Sequence, residues 1–120
     1  MQTLGIPFEE RLNVFQEDPH WEPFRQFSPV AQVPCLHDGS TVIWASPGIT
    51  EYLAEHHPGV WPAAGVARAF VRCGSAEMHA GFAVLRNICT MNCGLRSRLH
   101  EVSPALQRNL DRIGIVRLRA

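Results

Sequence analysis

Hydrophobic and polar positions alternate along residues 6–14. The apolar positions are Ile6, Phe8, Leu12 and Val14. This period of two predicts a β-strand over the segment. The residues that follow include three prolines, Pro19, Pro23 and Pro29, and four aromatic residues, Phe15, Trp21, Phe24 and Phe27. Because the prolines exclude a long helix, we expect short helical turns here, held to a core by the aromatic side chains.

Two short apolar runs come next, over residues 33–36 and residues 41–44. Asp38-Gly39-Ser40 joins the two runs, and Asp-Gly between apolar runs is a strong hairpin signal. The pattern therefore predicts a pair of antiparallel strands connected by a tight turn.

A helix is predicted to begin directly after this hairpin. Ser46 is a favourable N-cap, and Pro47 suits the first helical position because it lacks only an N–H that would have no partner there. The helix is expected to end before His57-Pro58. Since the helix dipole favours imidazoles at a C-terminus, His56 and His57 are interpreted as capping residues and not as metal ligands.

The second half of the chain has a helical period. Gly and Pro predict a linker over residues 59–65. Apolar residues then recur at spacings of three and four: Ala67, Phe70, Val71, Met78, Phe82 and Leu85. They predict one long helix that contains Gly81. A further helix is predicted to start at Ser103-Pro104, with an apolar face formed by Leu106, Leu110 and Ile113.

The charge of the chain sums to zero, but its halves differ. Residues 1–60 carry two arginines and eight acidic residues, a net charge of −6, whereas residues 61–120 carry nine arginines and three acidic residues, a net charge of +6. Such an asymmetry indicates two structural units. The zero total argues against a nucleic-acid-binding protein or a polybasic membrane anchor, and 46% hydrophobic residues argue against disorder.

The cysteines suggest a reducing compartment. Residues 1–10 contain no Lys or Arg and do not resemble a secretory signal, so a cytoplasmic location with free thiols is expected. Cys89 and Cys93 lie four positions apart and would share one side of a helix, where Cys73, His79 or His100 could complete a zinc site. Buried apolar cysteines are the favoured interpretation, and no metal is expected.

Two stretches, FSPVAQVPCLHDG (residues 27–39) and WASPGITEYLAEHHP (residues 44–58), resemble the glutathione S-transferase superfamily. Bacterial members of the broad, zeta-like or related classes are the most similar. The resemblance implies an α/β thioredoxin-like N-terminal domain over residues 1–58 with its first strand missing. It further implies the linker at residues 59–65 and an incomplete all-α C-terminal domain over residues 66–120, so that the chain is expected to be truncated at both ends.

The resemblance also implies a glutathione site without a metal. In the family, the residue before the strand's proline, here Val33 before Pro34, pairs its backbone with the cysteinyl part of glutathione. Ser46 would bind the γ-glutamyl carboxylate, an anion suited to a helix N-terminus. The family usually has Glu or Asp before this serine to receive the ammonium group of glutathione. Ala45 stands there instead, which predicts weaker binding.

No catalytic residue is assigned. In the family a Tyr, Ser or Cys on the loop after the first strand activates the thiol of glutathione, and this loop is expected to precede Met1. Tyr52 is the only tyrosine, but its position within a helix indicates core packing.

The expected function is glutathione binding. In the intact family, this would support conjugation of small electrophiles or their glutathione-dependent isomerisation. Truncation is expected to impair turnover by this chain. The alternative is a non-catalytic binding or scaffold protein of the same fold. Thiol–disulfide exchange by Cys35 is disfavoured, because Cys35 has no Cys-x-x-Cys partner. Expected partners are glutathione, a small electrophile and a second copy of the chain, with neither nucleic acid nor membrane among them.

Overall fold

The computed structural model describes residues 1–14, 22–90, 92, 94 and 96–118. The chain forms two compact units, Met1–Ala63 and Ala64–Ala120. The first unit holds a two-stranded sheet with helices, and the second unit is helical. The aromatic residues Phe15 and Trp21, together with Cys93 of the Cys-x-x-x-Cys pair, lie outside the described residues.

The strand predicted over residues 6–14 is wrong. A short 3₁₀ helix, Gln2–Leu4, ends at Gly5 with a φ of 64°, and the residues from 6 to 14 have no regular structure. Leu12 and Val14 are 84% and 71% exposed. An alternating pattern forms a strand only where another strand supplies hydrogen-bond partners, and within the described ranges the sheet pairs only the two hairpin strands.

The predicted short helical turn is confirmed in the part of the proline-rich segment that is described. Phe24 of helix α1, Glu22–Arg25, is buried. The centroid of its ring lies 5.5 Å from the centroid of the Phe27 ring. Ser28 is also buried, and its hydroxyl accepts a 3.2 Å hydrogen bond from the backbone N–H of Gln32. These contacts fix the backbone that leads into the hairpin.

The predicted antiparallel hairpin is confirmed. Strands β1, Cys35–Asp38, and β2, Thr41–Trp44, pair in a register that sets Asp38 against Thr41. The turn between them contains Gly39 at a φ of 57°, a conformation that costs glycine nothing and most residues energy. Strand β1 begins later than the apolar run, because Val33 and Pro34 precede the first ladder pair.

Helix α2, Ser46–His56, ends where the sequence predicts, but its capping differs by one residue. Ala45 occupies the N-cap, and its carbonyl oxygen accepts a 3.0 Å hydrogen bond from the N–H of Ile49. Ser46 is therefore the first helical residue and not the N-cap. The physical reason is the backbone at Ala45, where φ is 61° and ψ is 130°, outside the helical region.

The single long helix predicted from Ala67 is wrong, because two helices occupy its place. Helix α3 spans Gly65–Ala80, and helix α4 spans Ala83–Ile88. The break falls at Gly81 and Phe82. A Cβ at Gly81 would lie 2.8 Å from the carbonyl oxygen of Glu77, and Phe82 has a φ of 57°. Phe82 is buried, so the break directs a large apolar side chain into the core.

The last predicted helix is confirmed as α5, Pro104–Leu118. The Ser103 hydroxyl accepts a 3.2 Å hydrogen bond from the N–H of Leu106, as expected for an N-cap. The Leu106 side chain has no exposed surface. The Asn109 side chain accepts a hydrogen bond from the N–H of Leu85, which ties α5 to α4.

An ion pair joins α5 to α3 within the second unit. Arg112 donates two hydrogen bonds to the carboxylate of Glu77, at 2.5 Å and 2.8 Å. These bonds lower the pKa of Glu77. Across the described parts of both units, no helix has the length and hydrophobicity needed to cross a bilayer.

Candidate functional site

The register of the hairpin gathers the predicted site residues at one end of the sheet. Cys35 is the first residue of β1 and lies opposite Trp44, the last residue of β2. Val33-Pro34 directly precedes β1, and Ala45-Ser46 directly follows β2. Both pairs therefore leave the same end of the hairpin, and helix α2 begins there. The opposite end carries the turn at Gly39.

The backbone before β1 has an unusual conformation. The Val33–Pro34 peptide bond is cis. Val33 is 41% exposed, and Pro34 is also exposed. Ala31, two residues earlier, is buried with a φ of 53°. Ala31 is therefore held in the core, whereas the backbone at Val33 and Pro34 is open to a ligand.

The N-terminus of α2 is suited to an anion. Ser46 is exposed, and Ala45 at the N-cap has no side-chain oxygen to accept a hydrogen bond from the first turn. No acidic residue lies in that turn. The partial positive charge of the helix N-terminus and the Ser46 hydroxyl therefore favour an anion, and the first turn places no carboxylate against it.

Tyr52 makes a polar contact that the sequence interpretation missed. Its hydroxyl donates a 2.7 Å hydrogen bond to Oδ2 of Asp38, and the centroid of its ring lies 4.8 Å from the centroid of the His56 ring. The interpretation as core packing alone is wrong, because Tyr52 is half-buried and its hydroxyl has a charged partner. This hydrogen bond raises the pKa of Tyr52. A hydroxyl held in this way is poorly suited to stabilise a thiolate.

Cys35 and His37 form a second contact that the sequence interpretation missed. Two positions apart on a strand, they share one face of β1. The sulfur of Cys35 lies 3.7 Å from Nε2 of His37, and both atoms contact the carbonyl oxygen of Phe27. The alternation of the strand could have indicated the shared face. The position of the Phe27 carbonyl depends on the preceding loop and has no sequence signal.

The remaining cysteines do not follow the expected burial. Cys73 and Cys89 are exposed, and Cys35 is intermediate, so the prediction of buried thiols is wrong. Cys73 lies within α3, and Cys89 is the residue that follows α4. In the portion of the chain that the structure describes, no group of three or more His, Cys, Asp or Glu side chains lies close enough together to hold a metal ion.

Comparison with known proteins identifies the family. Residues 1–61 match the model of the glutathione S-transferase N-terminal domain. No curated protein and no solved structure matches the chain. Since the family model covers half of the chain, the protein belongs to the glutathione S-transferase family. Its fold is a thioredoxin-like domain followed by a helical domain, as the sequence predicts.

Proposed function

We propose that the protein binds glutathione at the end of the hairpin where α2 begins. The γ-glutamyl carboxylate lies at Ser46 and the first turn of α2, and the cysteinyl part extends along the backbone of Val33. The observation that carries this proposal is the pairing of Cys35 with Trp44, which sets these two segments at one end of a domain that belongs to the family.

Physical chemistry supports the choice of a carboxylate ligand. An anion gains from the helix dipole and from N–H groups of the first turn that the Ala45 side chain does not cap. The exposed hydroxyl of Ser46 adds a hydrogen-bond donor. Val33 offers a backbone N–H and a carbonyl oxygen, which are the groups that pair with an extended peptide ligand. Pro34 has no N–H and offers only its carbonyl oxygen.

The ammonium group of glutathione has no carboxylate at position 45. A hydrogen bond to a charged group contributes about 1.5–3 kcal/mol, and each 1.4 kcal/mol is about tenfold in affinity. Ala45 therefore makes this site weaker for glutathione than one with Glu or Asp at the same position, by about tenfold or more.

The proposed reaction is nucleophilic attack by glutathione on a small electrophile. The thiol loses its proton, the sulfur forms a bond to carbon, and the leaving group departs with the bonding electron pair. Glutathione-dependent isomerisation uses the same thiolate as a reversible nucleophile. No described residue is assigned as the group that activates the thiol, and Tyr52 is not assigned because its hydroxyl is hydrogen-bonded to Asp38.

Calorimetry tests the binding proposal. Glutathione is titrated into the wild-type chain, into Ser46→Ala and into Ser40→Ala, which makes the same change at the opposite end of the hairpin. The proposal predicts one site per chain, a loss of at least about tenfold in affinity for Ser46→Ala, and no change for Ser40→Ala. Equal affinity in all three proteins contradicts it.

Turnover is measured separately, as consumption of glutathione with a generic aryl halide. A rate above the uncatalysed background supports a transferase. Binding with a background rate overturns the proposed reaction and supports the non-catalytic binding protein instead. Glutathione binding and glutathione chemistry are thus tested independently.

A further inference from the structure

Three potential metal donors converge beside strand β1. The Cys35 sulfur lies 3.3 Å from the carbonyl oxygen of Phe27 and 3.7 Å from Nε2 of His37. The third side of this triangle, from His37 Nε2 to the Phe27 oxygen, measures 2.7 Å. The three atoms come from two segments, the loop after α1 and the strand itself.

The protons in this cluster are replaceable. A carbonyl oxygen only accepts hydrogen bonds, so both the thiol and Nε2 donate to Phe27, and the imidazole carries its proton on Nε2. The two donors share this one carbonyl oxygen, whose two lone pairs accept both hydrogen bonds. An ion that displaced the thiol proton and shifted the imidazole proton to Nδ1 would receive a thiolate, an imidazole nitrogen and a carbonyl oxygen together.

The spacing fits a tetrahedral ion. With Zn–S near 2.3 Å and Zn–N near 2.0–2.1 Å, tetrahedral zinc separates sulfur from nitrogen by about 3.5 Å. The observed separation in the Cys35–His37 pair is 3.7 Å. The nitrogen–oxygen edge, now 2.7 Å, would widen by roughly 0.7 Å to suit zinc. Because His37 is exposed, its side chain has room for this shift.

The chemistry of the donors selects the ion. A thiolate with an imidazole favours Zn²⁺ and similar thiophilic ions over Mg²⁺ or Ca²⁺, which require oxygen ligands. The half-buried Cys35 and exposed His37 also leave the outer side of the cluster open to water as a further ligand. This open coordination position indicates reversible binding and not a closed structural site.

We propose that Cys35, His37 and the carbonyl oxygen of Phe27 form a reversible Zn²⁺ site. Zinc binding releases the thiol proton of Cys35 to solvent, moves the imidazole proton of His37 from Nε2 to Nδ1, and links the loop after α1 to β1. The site lies beside the proposed glutathione site but uses different residues, and its test uses no glutathione.

Zinc titration in thiol-free buffer tests the site. The parent for this test is the full chain with Cys73→Ser, Cys89→Ser and Cys93→Ser, which leaves Cys35 as its only cysteine. Zn²⁺ is added in competition with a chromophoric chelator. His37→Ala and Cys35→Ser are compared with the parent, and His79→Ala is the matched control on α3.

The expected result is one Zn²⁺ per parent chain. Loss of even an outer partner of a metal ligand costs about 10–100-fold in affinity, so His37→Ala and Cys35→Ser are each expected to lose at least about tenfold. His79→Ala is expected to keep the parent affinity. Parent affinity retained in His37→Ala overturns the proposal.

Alkylation of Cys35 provides a second measurement that requires no change at the cysteine. Zn²⁺ is expected to slow the reaction of iodoacetamide with the parent and to have no effect on the rate in His37→Ala. An equal effect of Zn²⁺ in both proteins assigns binding to the thiol alone and overturns the three-donor site.

Discussion

The hydroxyl of Tyr52 in α2 donates a 2.7 Å hydrogen bond to Oδ2 of Asp38 at the end of β1. This bond joins residues 14 positions apart and holds the helix against the turn end of the hairpin. Because the hydroxyl of the only tyrosine has this charged partner, Tyr52 is not proposed as the activator of a thiol.

The first prediction concerns the titration of this tyrosine. Its hydrogen bond to Asp38 raises the pKa of Tyr52 above the ordinary value of 10.0. Asp38→Asn is expected to bring that pKa down towards 10.0, whereas Asp111→Asn is expected to leave it unchanged. Ultraviolet absorbance of the phenolate measures it directly, because the chain has one tyrosine. A pKa that Asp38→Asn does not lower would refute the assigned cause.

The sign of the linked stability follows from the same shift. Because the pKa of Tyr52 is higher in the folded chain than in the unfolded chain, its stabilising effect is complete below the unfolded value near 10. The effect is lost as the pH rises through the folded value. Tyr52→Phe should therefore reduce the difference in unfolding midpoint between neutral and strongly alkaline pH.

The second prediction contrasts two glycines. Gly81→Ala is expected to destabilise the helical unit, because the new Cβ would lie 2.8 Å from the carbonyl oxygen of Glu77. Gly114→Ala within α5 has open space around it and is expected to stabilise the unit by about 0.5–1 kcal/mol. Chemical denaturation measures both. Equal effects of the two changes would contradict the geometry of the α3–α4 break.

The third prediction concerns the core of the helical unit. Leu106 has no exposed surface, so Leu106→Ala is expected to lower the free energy of unfolding by about 2–5 kcal/mol. Leu110 lies one turn further along α5 and is 37% exposed. Leu110→Ala is the matched control and should cost distinctly less. A Leu110→Ala loss as large as that of Leu106→Ala would place the core elsewhere.

The fourth prediction restores a carboxylate to the proposed site. Ala45→Glu is expected to increase the affinity for glutathione by about tenfold, because the ammonium group gains a charged partner. Ala45→Gln provides a control of nearly the same size without the charge and should gain less. Calorimetry compares the two variants. If the glutamine variant gains as much as the glutamate variant, an ion pair is not the cause.

Local signals explain what the sequence predicts correctly. Asp-Gly determines the hairpin turn, and Ser103 caps α5 through its own hydroxyl. Both features depend on residues within a few positions of each other. The end of α2 before His57-Pro58 is equally local.

Nonlocal features explain the failures. Residues 6–14 have the period of a strand, but that period does not say whether a neighbouring strand is present. The apolar spacing continues unbroken across Gly81 and Phe82, so it does not reveal that the backbone leaves the helix there. The shift of the α2 N-cap from Ser46 to Ala45 depends on the backbone conformation of Ala45, which the residue types do not reveal.

The candidate functional residues also include some that the sequence indicates and some that only the folded chain reveals. The sequence indicates Val33, Pro34, Ala45 and Ser46, and the hairpin register shows why two separate stretches leave one end of the sheet. The contact of Cys35 and His37 with the Phe27 carbonyl needs the folded loop after α1. No pattern of residue types specifies where a backbone oxygen lies.

Glutathione calorimetry on Ser46→Ala and Ser40→Ala tests the central claim most directly. The two variants make the same chemical change at opposite ends of one hairpin, so a general loss of stability affects both. The account predicts a loss of at least about tenfold in affinity for Ser46→Ala alone. Wild-type affinity in Ser46→Ala would contradict it.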